Sequence, residues 1–257
     1  MLPYFATVDY SIGPLTLHVW GFFIALGIVC MLGALRAECA ARKLTFETFF
    51  DLTLWVVIAA FIGARFAHVF FYEPAFFLKH PVEILKVWNG GLASTGGIIF
   101  GTLAALFFVW RKKLPFIQSG DALFRAMPIA WCIGRFGCYL THMHPGELSH
   151  SFLAVNYPDG LRHDLGLYEF FFWALLTIIF WLPPRARRAG IYFSLVPLLY
   201  APIRFTLDFF RIEQSNVYHM ADARYGSLTP AQYTMIFIFF LGLLVAKKSN
   251  LFTFQKS

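Results

Sequence analysis

Charge is scarce in this chain. Of 257 residues, only 14% are Asp, Glu, Lys or Arg, against 59% hydrophobic. A water-soluble domain carries roughly 25% charged residues, so most of this surface has a different solvent. Mean hydropathy is +0.64. Other absences narrow the class further. There is no internal repeat of the kind solute carriers use, no low-complexity tract and no interposed soluble domain. The four cysteines, Cys30, Cys39, Cys132 and Cys138, form no C-x-x-C pair and no metal-ligand spacing. The N-terminal "MLPYFATVDY" lacks the basic start of a signal peptide, so no cleaved targeting segment is expected.

What the chain does have is long apolar runs. Seven spans of roughly twenty residues fall at about 16–35, 49–72, 92–110, 120–140, 165–182, 190–209 and 229–246. They are continuous rather than alternating, which predicts helices and not a barrel. The expectation is an all-α polytopic protein forming a single membrane domain over residues 1–257. Between spans two and three, residues 73–91 are apolar but broken by Pro74 and Pro81. This segment reads as a helix near 75–88 lying in the membrane interface, with Trp88 as anchor. The aromatic content, 19%, reads as lipid-facing bulk and interface belt.

The net charge of +7 would suggest nucleic acid on a soluble protein. Here the cations cluster at the ends of spans, as topology requires, and no nucleic-acid partner is implied. Arg36, Arg42, Lys43, Arg111, Lys112, Lys113, Arg185, Arg187, Arg188, Lys247, Lys248 and Lys256 follow the odd-numbered spans. The opposite loops hold Lys79, Lys86, Arg162, Arg211 and Arg224. This bias puts the C-terminus in the cytoplasm and the N-terminus outside.

Four arginines remain inside spans: Arg65, Arg125, Arg135 and Arg204. A guanidinium in hydrocarbon costs about 2.5–3.5 kcal/mol on insertion scales. Arg125 lies close to the inner end and is expected to snorkel. Glu38, Glu73 and Glu83 read as ordinary interfacial charges. Arg135 and Arg204 fall toward the outer half, so each should face the bundle interior and meet an anion. Arg204 has Asp208 at i+4 on the same helical face; an internal ion pair joining two helices is the competing role. Arg135 has no acid within a turn of its own helix. Its fork suits a phosphate, or else caps carbonyls or pairs with a remote acid.

Several motifs occur in order: "GPLTLHVWGFFIALGI", "IGARFAHVFFYEPAFFLKHPVEILKVWNGGLASTGGIIFG", "GRFGCYL", "RHDLGLYE" and "IRFTLDFFR". Together, from about Gly13 to Gln232, they resemble the bacterial prolipoprotein diacylglyceryl transferase family. The resemblance implies a seven-span inner-membrane enzyme. Its reaction moves a diacylglyceryl group from phosphatidylglycerol to the thiol of a lipobox cysteine in an exported preprotein, with release of glycerol phosphate. It implies no cofactor and no metal. Position by position, it makes Arg135 the arginine that holds the lipid phosphate and Arg204 a second essential arginine. Asp208 stands where the family has glutamate. Gly96 and Gly97 match a glycine pair, Arg65 an arginine of span two, and Tyr168 and Glu169 the "LYE" of span five.

The departures fall on the acceptor side. Thr95 stands where the family has histidine; it reads either as functional or as a small residue at a helix contact. Cys138 stands where the family has asparagine, and Glu147 matches a family glutamate only across a two-residue insertion. Thr95 cannot act as a base near neutral pH. The base is therefore expected in the outer loop, with His142, His144 and His163 as candidates. His142-x-His144 alone is a weak metal signal. Cys138 and His142, at i and i+4, could form a thiol–imidazole pair, although a buried thiol is the simpler state. Two alternatives stay open: a phospholipid-dependent transferase with another acceptor, and a non-catalytic lipid-binding membrane protein.

Overall fold

A computed structural model describes residues 2–5, 10–12, 15–87, 90–184, 188–212 and 224–249. Trp88, and Arg185, Arg187 and Lys256 of the orientation count, lie outside the described residues.

Among the described residues, seven long helices occupy the seven apolar runs. They are α1 (Val19–Arg42), α2 (Phe46–Phe71), α4 (Ser94–Arg111), α5 (Phe116–Leu140), α6 (Leu165–Trp181), α7 (Ile191–Leu207) and α8 (Pro230–Lys248). Among the described residues, four segments are long and apolar enough to cross a membrane by length and composition: α1, α2, α8, and α7 continued to Phe210. α4 and α6 are apolar but shorter; α5 carries Asp121, Arg125 and Arg135 within its length. Phe22, Trp55, Phe71 and Phe237 are among many large apolar side chains left exposed along these helices. In water such surface would drive association; in a bilayer it is the solvated face. The chain is a polytopic membrane protein.

The proposed interfacial helix is split at Pro81 into α3 (Pro74–Lys79) and a 3₁₀ turn, Pro81–Leu85. Proline has no N–H to donate and cannot continue a helix from within. Leu78, 84% exposed, and Leu85 project apolar surface, as an interface-lying segment requires.

The loops hold something the all-α expectation did not include. Among the described residues, six short strands form a hairpin, β2 (Tyr10–Ile12) with β3 (Leu15–Leu17), and a four-stranded sheet. In the sheet, β1 (Leu2–Pro3) runs parallel to β5 (Val155–Tyr157), β5 is antiparallel to β6 (Gly160–Asp164), and β6 is antiparallel to β4 (Pro145–Leu148). Strands of two to five residues are too short for an alternating pattern to stand out in sequence. β6 leads directly into α6, and Asp164 caps it by accepting from the Leu167 backbone N–H at 3.0 Å.

The chain groups into two compact units: Met1–Arg42 with Gly120–Ser257, and Lys43–Ser119. In the second unit α2 packs on α4, and a Cβ at Gly96 would stand 2.2 Å from the Gly63 carbonyl oxygen. Gly96 is therefore a helix-contact glycine. A Cβ at Gly97 would make only ordinary contact, 3.4 Å from the Ala60 oxygen.

At the Arg42 end of α1 the sequence reading needs correcting. Glu38 is fully buried, and Arg125 is buried with it rather than snorkelling. Arg125 bonds Glu38 and, through Nε and Nη2, the Phe180 carbonyl at 3.1 and 2.8 Å. Its guanidinium also lies 4.6 Å from the centroid of the Trp181 ring. Arg42 joins Glu38 at 3.1 Å, one turn along α1. A buried charge with partners supplied by several elements is stable where it could reach water only at the loss of all of them.

Candidate active site

The first unit places Arg135 of α5 and Arg204 of α7 on one carboxylate. Arg135 Nε lies 3.1 Å from Glu169 Oε2, and Arg204 Nε 3.6 Å from Glu169 Oε1. Glu169 sits on α6 and is 2% exposed. Tyr200 of α7 donates to Glu169 Oε2 at 2.8 Å. Arg204 Nη1 also donates to Asp208 Oδ1 at 2.7 Å, the i+4 pairing expected from sequence. Asp208 accepts from the Thr229 hydroxyl as well, and Arg211 Nε stands 3.5 Å from its Oδ1. Thr229 is held in turn by a reciprocal cap with Gln232 at the start of α8.

Arg135 is bound differently from Arg204. Its contact with Glu169 is Coulombic: Nε is buried with no hydrogen bond of good geometry, although the oxygen is close. Its side chain is 15% exposed, and the guanidinium carbon is 5.4 Å from the Trp131 ring centroid. Cys138, one turn on, and Tyr200 lie against the same guanidinium. Arg135 is thus a partly accessible cation whose Nε has no aligned hydrogen bond. Arg135, Arg204 and Arg211 gather around the carboxylates of Glu169 and Asp208.

The segment between α5 and α6 adds three candidate histidines in three surroundings. His144 lies beside Arg135, Arg211 and Arg204; burial first, and then those cations, hold its imidazole well below its ordinary value and so neutral. Its carbonyl accepts from the Leu165 N–H at 3.0 Å. His163 Nδ1 is 2.6 Å from the Tyr168 hydroxyl. Burial lowers its value too, opposed by Glu147, which is exposed on β4. His142 is buried, with Nδ1 2.8 Å from Asp164 Oδ2. Tyr168 therefore meets His163 and, at 3.5 Å, Ser151, not the arginine pair.

The second unit carries Arg65, Thr95, Gly96 and Gly97. Arg65 is buried, and its guanidinium donates to the carbonyls of Ile84 at 2.9 Å, Gly90 at 2.7 Å, Gly91 at 3.0 Å and Glu83. Its donors are spent on the 83–91 loop, so its role in the structure is to hold that loop. Thr95 is half-buried in the first turn of α4.

Sequence reasoning missed Tyr200, Arg211 and Asp164, and did not pair Arg135 with Glu169. Tyr200 was findable, since it stands at i−4 from Arg204. Asp164 was findable as a cap, because it precedes an unbroken apolar helix. The Arg135–Glu169 pairing joins two helices, and no helical spacing encodes it.

The profile of the prolipoprotein diacylglyceryl transferase family matches residues 7–247. Relatives named phosphatidylglycerol–prolipoprotein diacylglyceryl transferase include that of Bordetella avium, 28% identical over 96% of this chain and 97% of the relative. That of Staphylococcus saprophyticus is 28% identical over 95% and 89%, and that of Pseudoalteromonas atlantica 32% identical over 84% and 79%. With the family profile covering nearly the whole length, the chain belongs to the prolipoprotein diacylglyceryl transferase family.

Proposed function

We propose that this protein transfers a diacylglyceryl group from phosphatidylglycerol, or a related anionic phospholipid, to a cysteine thiol in the lipobox of an exported lipoprotein precursor. It works in the bacterial cytoplasmic membrane, with its N-terminus outside and its C-terminus in the cytoplasm. The observation that carries the reading is the meeting of Arg135 and Arg204, from two helices, on the one carboxylate of Glu169.

The chemistry needs such a centre. A thiol displaces the phosphate ester at a glycerol carbon: a C–S bond forms, a C–O bond breaks, and a phosphodiester monoanion becomes a monoester dianion. Positive groups fixed at the leaving oxygen favour that added charge more in the transition state than in the bound lipid. Glu169 and Asp208 hold both arginines in place beforehand, so little reorganisation accompanies the reaction. In this reading His144, a neutral imidazole beside the arginines, offers an N–H to a phosphate oxygen.

The test is to incubate the purified protein with labelled phosphatidylglycerol and a lipobox peptide. Thioether-linked peptide and released glycerol phosphate are expected. Lipid consumption without peptide labelling would indicate a different acceptor, a reading favoured by Thr95 and Cys138 at the altered positions. Lipid binding without turnover would indicate a non-catalytic binder.

A further inference from the structure

Thr95 leaves the reaction without the imidazole that the family resemblance places in span three, and a thiol with a pKa of about 8.5 is mostly protonated near neutral pH. One buried group in the loop after α5 is arranged for proton transfer. Asp164 Oδ2 takes the Nδ1–H of His142 at 2.8 Å and the Tyr157 hydroxyl at 2.9 Å, while Asp164 Oδ1 is fixed by its cap to Leu167 N. A carboxylate at Nδ1 selects the tautomer whose Nε2 carries the lone pair, and steadies the ring once it has taken a proton. His142 is 6% exposed, and its Nε2 is buried without a hydrogen-bond partner among the described residues.

The ring is locked in orientation. Tyr4 stacks on it at 4.5 Å between centroids, with Phe5 at 5.0 Å, Tyr157 at 5.2 Å and Tyr139 at 5.5 Å. The backbone of His142 has φ 48°, a left-handed conformation that non-glycine residues seldom adopt and that is retained where the surroundings enforce it. Glu169, on α6, lies against Arg135, and Asp164, the N-cap of α6, lies against His142. Asp164 and Glu169 are five residues apart along the chain, about 7.5 Å at the helical rise per residue.

We propose that His142 is the general base that takes the acceptor thiol's proton at Nε2, with Asp164 as its positioning residue. The proposal rests on the transferase reading above. As the C–S bond forms, the S–H proton passes to Nε2; the electrons of the broken C–O bond stay with the phosphate, and the imidazolium then gives its proton to water. His163 is engaged by Tyr168 at Nδ1, and His144 stands among guanidiniums that oppose a further positive charge. Tyr4 and Phe5 cover the ring, so the acceptor must displace part of that segment to reach it.

Thioether formation by the full chain, reconstituted with phosphatidylglycerol and a lipobox peptide, should be followed from pH 6.5 to 9.5 in wild type, His142→Gln, His142→Gly and Asp164→Asn. His142→Gln should lose about 10²–10⁴-fold at pH 7. The deficit should shrink toward pH 9.5 as the peptide thiol ionises unaided, and phosphatidylglycerol binding should stay at the wild-type level. Added imidazole should restore part of the His142→Gly rate, and Asp164→Asn should show the same alkaline displacement more weakly. A wild-type rate at pH 7 in His142→Gln overturns the proposal. So does a deficit constant across pH that imidazole does not relieve, since that is the mark of a structural staple. A wild-type protein that binds the lipid but makes no thioether overturns the transferase reading itself, and this inference with it.

Discussion

Glu169 is the buried anion common to Arg135 and Arg204. Breaking a buried pair leaves uncompensated charge, typically at a cost of about 3–5 kcal/mol. Glu169→Gln should therefore lower unfolding stability in detergent by about that amount, as chemical denaturation would measure. Arg135→Lys makes a complementary change, keeping the charge and losing the planar fork. If the fork meets a phosphate, the variant loses charge-assisted bonds worth about 1.5–3 kcal/mol. The transfer rate at subsaturating lipid should then drop roughly 10- to 100-fold, since 1.4 kcal/mol is about tenfold. His144 sets a pH dependence. Its folded value lies below its unfolded one, so the unfolded chain binds more protons as pH falls below about 6.5, and stability present above that pH is lost on acidification. Thermal unfolding at pH 5.0 and 7.5 should show a smaller acid penalty in His144→Gln than in wild type.

At the scale of elements, the apolar runs foretold the helices closely, because bilayer thickness and helical rise leave few ways to place twenty greasy residues. α1 ran further than its apolar run, to Arg42, since "RAECAAR" is itself helix-forming and Glu38 and Arg42 pair across one turn. The Arg204–Asp208 pair was legible for the same reason, because i+4 spacing is a local geometric fact. Glu169, quoted only as part of "LYE", could not be identified as the partner of Arg135 from spacing, and Glu38 passed for an interfacial charge. Both are contacts between helices, and sequence periodicity reports a helix's faces, not its neighbours. The α2–α4 crossing gives the sharpest element-scale prediction. A Cβ at Gly96 meets the Gly63 backbone, whereas one at Gly97 does not. Gly96→Ala should cost about 1–3 kcal/mol by overpacking, and Gly97→Ala little. Parallel denaturation curves for the two variants check it.

For the molecule as a whole, the surface assigns the solvent and the interior assigns the chemistry. Exposed phenylalanines and leucines along the helices mark the lipid-facing surface, while the first unit buries, besides the His142–Asp164 pair, two clusters of arginines and carboxylates among the described residues. One, Arg42, Arg125, Glu38 and Asp121, joins α1 to α5 and reads as a clasp. The other gathers Arg135, Arg204 and Arg211 around Glu169 and Asp208. The proposed function assigns this second cluster to an anionic lipid head group. The most direct measurement compares the affinity of the reconstituted protein for phosphatidylglycerol and for zwitterionic phosphatidylcholine, in wild type and in Arg135→Gln. The account predicts a clear preference for phosphatidylglycerol in wild type that largely disappears in Arg135→Gln. Equal affinity for the two lipids, or a preference unchanged by the substitution, would contradict it.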